Sequence, residues 1–319
     1  MDGIEAMTDP TRREFLARLS AMGIVAASPA SLAAQESYSG RITAQESLPT
    51  RVIPGTDEML PIVGLGSSKP VLQIPEEGTG PLRAVIRTLV QHGGRVVDTS
   101  PRVEEIDREF GRLLQAPDLM ERLFVATKIN TEGAEAGVQQ MRQNQRLFGR
   151  RTVDLVQVES LRDIDAHWPN LREWKETGEA RYIGVTVSSN GAHERLESFM
   201  RAESPDFVHV NYSVVETQAE DRLLPLAQDL GMAVLINRPF MNGRYFARVN
   251  GRELPEWAAD FDCVSWAQFS LKYILAHPAV TCVFTETTSP EHMEENIQAA
   301  FGRLPEAVTK RRMRGLLEG

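Results

Sequence analysis

Residues 93–114 read GGRVVDTSPRVEEIDREFGRLL. The β-branched pair Val96 and Val97 runs into Asp98, a Pro-containing loop follows, and a helical pattern takes over. A short apolar strand that stops at a charged residue and hands over to a helix is one β/α unit. Outward from it, strand-like runs recur near 62–66, 95–99, 123–128, 153–159, 182–187, 207–213, 232–238 and 280–285. Most are continuous apolar runs, the pattern of strands covered on both faces. The intervening segments carry helical periodicity: Leu82, Val85, Ile86, Leu89 and Val90 fall on one face, as do Ala267, Leu271, Ile274 and Leu275. Ser289-Pro290-Glu291 reads as a helix start, with a capping hydroxyl, a proline at the first position and an acid in the first turn.

Eight such alternations over about 260 residues predict an α/β fold, a (β/α)8 TIM barrel. The stretch TRVIPGTDEML at 50–60 predicts a hairpin around Pro54-Gly55 that closes the barrel bottom. An open doubly wound sheet would call for a G-x-G-x-x-G turn after the first strand, and GLGSSKP at 64–70 is not one.

The chain has 319 residues, 42% hydrophobic and 25% charged, with a net charge of −9. That balance argues against nucleic acid as a partner, which needs a basic face. The basic KRRMR at 310–314 reads as the solvated side of a final helix. At the other end, TRREFLARL at 11–19 carries Arg12 and Arg13, a mildly apolar AMGIVAASPASLAA follows, and Ser31-Leu32-Ala33 suits a small-residue cleavage site. This order predicts a twin-arginine export signal over 1–33, a linker over 34–50 and a barrel domain over 51–319. The apolar stretch is too short to span a bilayer, so no stable membrane anchor is expected. The expected location is periplasmic or exported, with the twin-arginine translocation machinery as a partner. Cys263 and Cys282 are expected not to pair, because one precedes a helix and the other sits in the next strand, roughly 20 Å away. The six histidines show no ligand spacing, so no metal is expected.

Barrel chemistry sits at the C-terminal ends of strands. Asp98, Lys128 and Glu159 end the second, third and fourth strands, so three charged groups should share one mouth. A structural Asp98–Lys128 ion pair, a ligand-facing role, or both together satisfy that placement.

The 93–114 segment, MLPIVGLGSS at 59–68, VATKIN at 125–130 and RYIGV at 181–185 resemble the aldo-keto reductase superfamily. The resemblance covers about residues 50–305 and implies an oxidoreductase that uses a nicotinamide cofactor on a small-molecule carbonyl or alcohol. It also places the family's proton-donating tyrosine at Val103 and its usual histidine at Glu159, in DLVQVE. Asp98 and Lys128 match the pair that tunes the missing tyrosine, so ordinary aldehyde reduction is expected to be weak. Glu159 has two readings, a neutral acid beside an oxyanion-stabilising Lys128 or a carboxylate closing a triad with it.

The resemblance assigns Thr186, His209, Arg238, Thr287 and Asn296 to the cofactor. Glu286 and His292 stand where a cation often meets a 2′-phosphate, which favours NAD over NADP. Two other readings stay open: a non-catalytic barrel that binds a ligand or partner, and a non-redox lyase or isomerase using Asp98, Lys128 and Glu159.

Overall fold

The computed structural model describes residues 47–318. The expectations for the signal over 1–33, and for nearly all of the linker over 34–50, fall outside those residues. The described chain opens with a hairpin, β1 (Thr50–Val52) against β2 (Met59–Pro61). Eight parallel strands follow: β3 (Val63–Gly66), β4 (Val96–Asp98), β5 (Phe124–Ile129), β6 (Val153–Glu159), β7 (Ala180–Thr186), β8 (Phe207–Asn211), β9 (Ala233–Asn237) and β10 (Val280–Thr285). Each pairs with the next in sequence and β10 pairs back with β3, so the sheet closes into a barrel. The (β/α)8 expectation holds, and no strand end differs from the sequence reading by more than two residues.

The helices between the strands cover the outside of the barrel. They are α1 (Gly80–Gln91), α2 (Glu104–Leu114), α3 (Ala134–Phe148), α4 (Ile164–Glu176), α5 (His193–Glu203), α6 (Leu223–Asp229), α7 (Arg244–Val249), α8 (Trp266–Leu275), α9 (Pro290–Gln298) and α10 (Ala307–Leu317). The predicted apolar face of α1 is buried at Leu82, Val85, Ile86, Leu89 and Val90. The predicted start of α9 is also realised: Ser289 Oγ accepts a hydrogen bond from the His292 backbone N–H at 3.1 Å.

Helices α2 and α3 pack closely because Gly111 has no Cβ. A Cβ there would stand 2.2 Å from the Leu147 carbonyl oxygen. The hairpin seals the barrel bottom. Ile53 and Leu60 are fully buried against Val96, Phe124, Leu155, Phe207 and Leu235. Glu58 anchors it from the turn, accepting from Arg95 at 2.8 Å and from the Tyr182 hydroxyl at 2.7 Å. Arg51 donates to the carbonyls of Leu275, His277 and Val280, tying β1 to the approach to β10.

Both cysteines are buried and free, as expected from their placement. Among the described residues no helix is long and apolar enough to cross a membrane.

Candidate active site

The barrel interior changes character toward the strand C-termini. Along β6, alternate residues face inward: Leu155 belongs to the apolar core, Gln157 is fully buried beside Asp98, and Glu159 reaches a cavity of about 270 Å³. Asp98, Lys128, Glu159, Thr186, His209 and Arg238 all line that cavity, so six of the predicted positions share one mouth.

At its floor the Lys128 ammonium donates to Asp98 Oδ2 at 2.6 Å and to the Thr99 carbonyl at 2.9 Å. Gln157 Nε2 donates to the other Asp98 oxygen at 3.1 Å. The ion-pair reading is therefore realised, with both side chains about 6% exposed. A carboxylate buried this far needs its cation and its amide donor. An ammonium carries three N–H donors, and two have protein acceptors here, so the third remains for whatever enters the cavity. The closed triad is not formed: Lys128 bonds Asp98 and Thr99, not Glu159. Glu159 lines the cavity as the last residue of β6.

His209 is fully enclosed, and neither ring nitrogen has a protein hydrogen-bond partner. Its Nδ1 lies 3.9 Å from Asp98 Oδ1, too far for a hydrogen bond. Burial pushes its pKa down to about 4, Asp98 opposing and Lys128 adding to the shift. The ring is thus neutral near pH 7, and the Asp98 approach is not an ion pair. One nitrogen donates and the other accepts, both unused by the protein.

Two charged residues, Arg238 and Glu286, border more than one of the cavities. Arg238 follows β9 at a left-handed φ of 55°. Its guanidinium donates to the Ser188 carbonyl and to Glu216 Oε1, the latter at 3.1 Å. It lines the inner cavity and the smaller space beside it with its charge already countered by Glu216. Glu286 lines the outer cavity together with His292 and Asn296. It is half-buried, packs its Cγ over Gly66, and also lines the inner cavity.

Val103 is 62% exposed and stands at the N-cap of α2, outside the cavity lining. The neighbouring Arg102 turns inward instead. Its guanidinium donates to Thr99 Oγ1, to the Ser100 carbonyl and to the Ser67 carbonyl. The sequence reading passed over Arg102 and Gln157. Gln157 had a signal, a polar residue two positions before Glu159 in an apolar strand. The inward turn of Arg102 depends on loop carbonyls that only the fold assembles.

A second cavity, of about 340 Å³, lies toward α9. Phe240, Phe246 and Trp266 line one part of it, and Thr287, His292 and Asn296 another. Thr287 and Asn296 are thus brought together, apart from the six inner residues. Between the two lies a smaller space of about 130 Å³ bordered by Lys69, Arg238, Phe240 and Asn242. Glu286 borders all three.

The closed parallel barrel and its charged mouth define a (β/α)8 barrel protein with adjoining cavities at the strand C-termini. The Aldo/keto reductase family model matches residues 80–312. The chain belongs to this family. An NADH-specific methylglyoxal reductase of Escherichia coli (strain K12) is 24% identical over 163 residues, 43% of this chain and 49% of that protein. The match thus spans about half the length of that relative. Among solved structures, the aldo-keto reductase AKR11C1 from Bacillus halodurans in its holo form superposes with a TM-score of 0.67 at 18% identity, over 85% of this chain and 96% of that one. An aldo/keto reductase from Klebsiella pneumoniae, in complex with NADP and acetate, gives a TM-score of 0.67 at 19% identity over 83% and 94%. At such identities the likeness establishes the fold.

Proposed function

We propose that this protein is an exported oxidoreductase that acts on a small carbonyl or alcohol with a nicotinamide dinucleotide. The observation that carries the reading is the Asp98–Lys128 pair at the inner end of a groove that runs to the N-terminus of α9. The residues fit such a cofactor at both ends. His209 offers an unused donor and acceptor to an amide at the inner end. At the outer end, Trp266, Phe240 and the buried Asn296 suit a flat heterocycle, and the helix start favours an anion.

The bound nicotinamide would supply or accept a hydride. This chain's residues would do the rest. Lys128, oriented by Asp98 and Thr99, points its remaining N–H into the cavity and stabilises negative charge on a substrate oxygen. Glu159 faces the same space and is the candidate for handling the proton, the role that Val103 does not fill. The relatives support a nicotinamide cofactor and do not decide between NAD and NADP.

The test is direct. The purified mature protein is denatured and its supernatant assayed for nicotinamide nucleotide, and small aldehydes are then screened with NADH and NADPH. Cofactor release or nucleotide-dependent turnover that falls with Lys128→Met and Glu159→Gln is the expected result. The absence of cofactor release, of nucleotide binding and of turnover together would overturn it. The exposed position of Val103 favours one second reading, acid–base chemistry without hydride transfer, which enolisable substrates without nucleotide would reveal by solvent deuterium exchange. Export is tested separately: with Arg12 and Arg13 both replaced by Lys, the precursor is expected to stay in the cytosol, and unchanged export would remove that part of the proposal.

A further inference from the structure

Resting on the groove reading above, we propose that Glu286 is a specificity-determining residue for phosphorylated ligands, its carboxylate standing where a pyrophosphate must cross between the inner and outer cavities. Three observations place it there. Glu286 borders the inner, middle and outer spaces at once. Its Cγ lies 3.2 Å from the point a Cβ on Gly66 would occupy, so the side chain rests on the end of β3 and not in bulk solvent. It follows directly on β10, whose partner β3 leads into Ser68 and Lys69.

The surrounding charges do not cancel Glu286 in favour of an anion. Lys69 approaches it but is exposed and donates to the Asn242 carbonyl at 3.1 Å. Arg102 and Lys128 act on it from the inner side, and each is already bonded, Arg102 to loop carbonyls and Lys128 to Asp98. Arg238 is paired with Glu216. On the outer side the cavity is bordered by His292 and by a further carboxylate, Glu295. A pyrophosphate laid across this point brings two negative charges to a third. Burial, helped by Asp98 and opposed by Lys69, Ser68 and Lys128, raises the Glu286 carboxyl above the ordinary carboxylate range. A bound pyrophosphate favours its protonated form further. Binding therefore takes up a proton, and affinity falls as pH rises through that raised value.

This position also changes which ligands are affected. A charge at the 2′-phosphate would separate NADPH from NADH. A charge at the crossing acts on the pyrophosphate they share, so both should be weakened by the same factor.

The experiment titrates the full-length folded protein with NADH, NADPH, ADP-ribose and adenosine, reading intrinsic fluorescence, for which Trp266 in the outer cavity is the reporter. Glu286→Gln is isosteric and removes the charge. It is expected to tighten NADH, NADPH and ADP-ribose together by about fivefold or more at pH 7.5. The gain should shrink at pH 5, and adenosine should be unaffected. Lys69→Met should weaken the three pyrophosphate ligands, and the double variant should recover toward wild type. Dinucleotide binding that Glu286→Gln leaves unchanged, a gain confined to NADPH, or an equal gain for adenosine would each overturn the assignment while leaving the oxidoreductase reading intact. No binding of any pyrophosphate ligand by either protein would overturn both.

Discussion

Lys128 is the side chain on which the most structure converges. It is one of the few buried cations in the barrel, and its ammonium is fixed by Asp98 and Thr99. Lys128→Met should lower turnover by roughly 10²–10³-fold if it stabilises the reacting oxygen. The same substitution leaves Asp98 buried with only Gln157 as a donor, so a destabilisation of about 3–5 kcal/mol is expected in urea denaturation. Replacing Asp98 by Asn in the same chain should recover part of the stability and none of the activity. A Lys128 variant that is destabilised yet keeps full turnover would show that the pair is structural only. Val103→Tyr, by contrast, should leave turnover unchanged, because that position projects from the cap of α2 into solvent. A clear gain in aldehyde reduction would mean the loop closes over the mouth in solution. At this scale the sequence was partly readable. Charged residues ending apolar runs marked Asp98, Lys128 and Glu159, because a barrel strand has few reasons to end in a charge other than its mouth. The contact of Arg102 with the Ser67 carbonyl and the packing of Glu286 over Gly66 join residues far apart in the chain, and no local pattern encodes them.

At the scale of single elements, the helix starts and close contacts were written in local chemistry. Ser289 caps α9 as its hydroxyl and following proline require. Ser289→Ala should cost about 1 kcal/mol. Because α9 borders the outer cavity, the same change should weaken adenosine binding if the helix end frays, measured by the fluorescence titration above. A melting temperature unchanged within error would show that the cap contributes nothing. Gly111 is the counterexample. Nothing around it in the sequence distinguishes it from a tolerated helix glycine, yet the α3 backbone occupies the space of its missing Cβ. Gly111→Ala should destabilise by about 1–3 kcal/mol or force α2 and α3 apart. The strands were legible because both faces are buried, which makes their apolar runs continuous. The hairpin was legible from its Pro-Gly turn.

Across the whole molecule, acid is the condition to which the fold should be most sensitive. Burial lowers the pKa of His209 to about 4 and that of His277 to about 4, against an ordinary value near 6.5. Between those values the unfolded chain binds protons that the native one refuses, so stability falls as pH drops from about 6.5 toward 4. Glu58 at the barrel bottom and Glu220 beside Lys310 have lowered values, and their contribution is lost below the ordinary carboxylate range, in the same direction. Melting followed from pH 7.5 to pH 4 should show this decline. His277→Gln should flatten the upper part of the curve, and a profile independent of pH would mean that neither ring is buried neutral.

The two thiols carry a consequence for the surroundings in which the chain can work. Cys263 is sealed behind α8 with its thiol pushed up to about 12, and Cys282 is enclosed in β10. Neither forms a bond that an oxidant must make or a reductant can break. The barrel should thus be equally stable in the presence of dithiothreitol or oxidised glutathione, and native protein should resist alkylation until it unfolds. A protein built this way can meet a change of redox potential after folding, as the proposed export would impose, without rearranging a single covalent link.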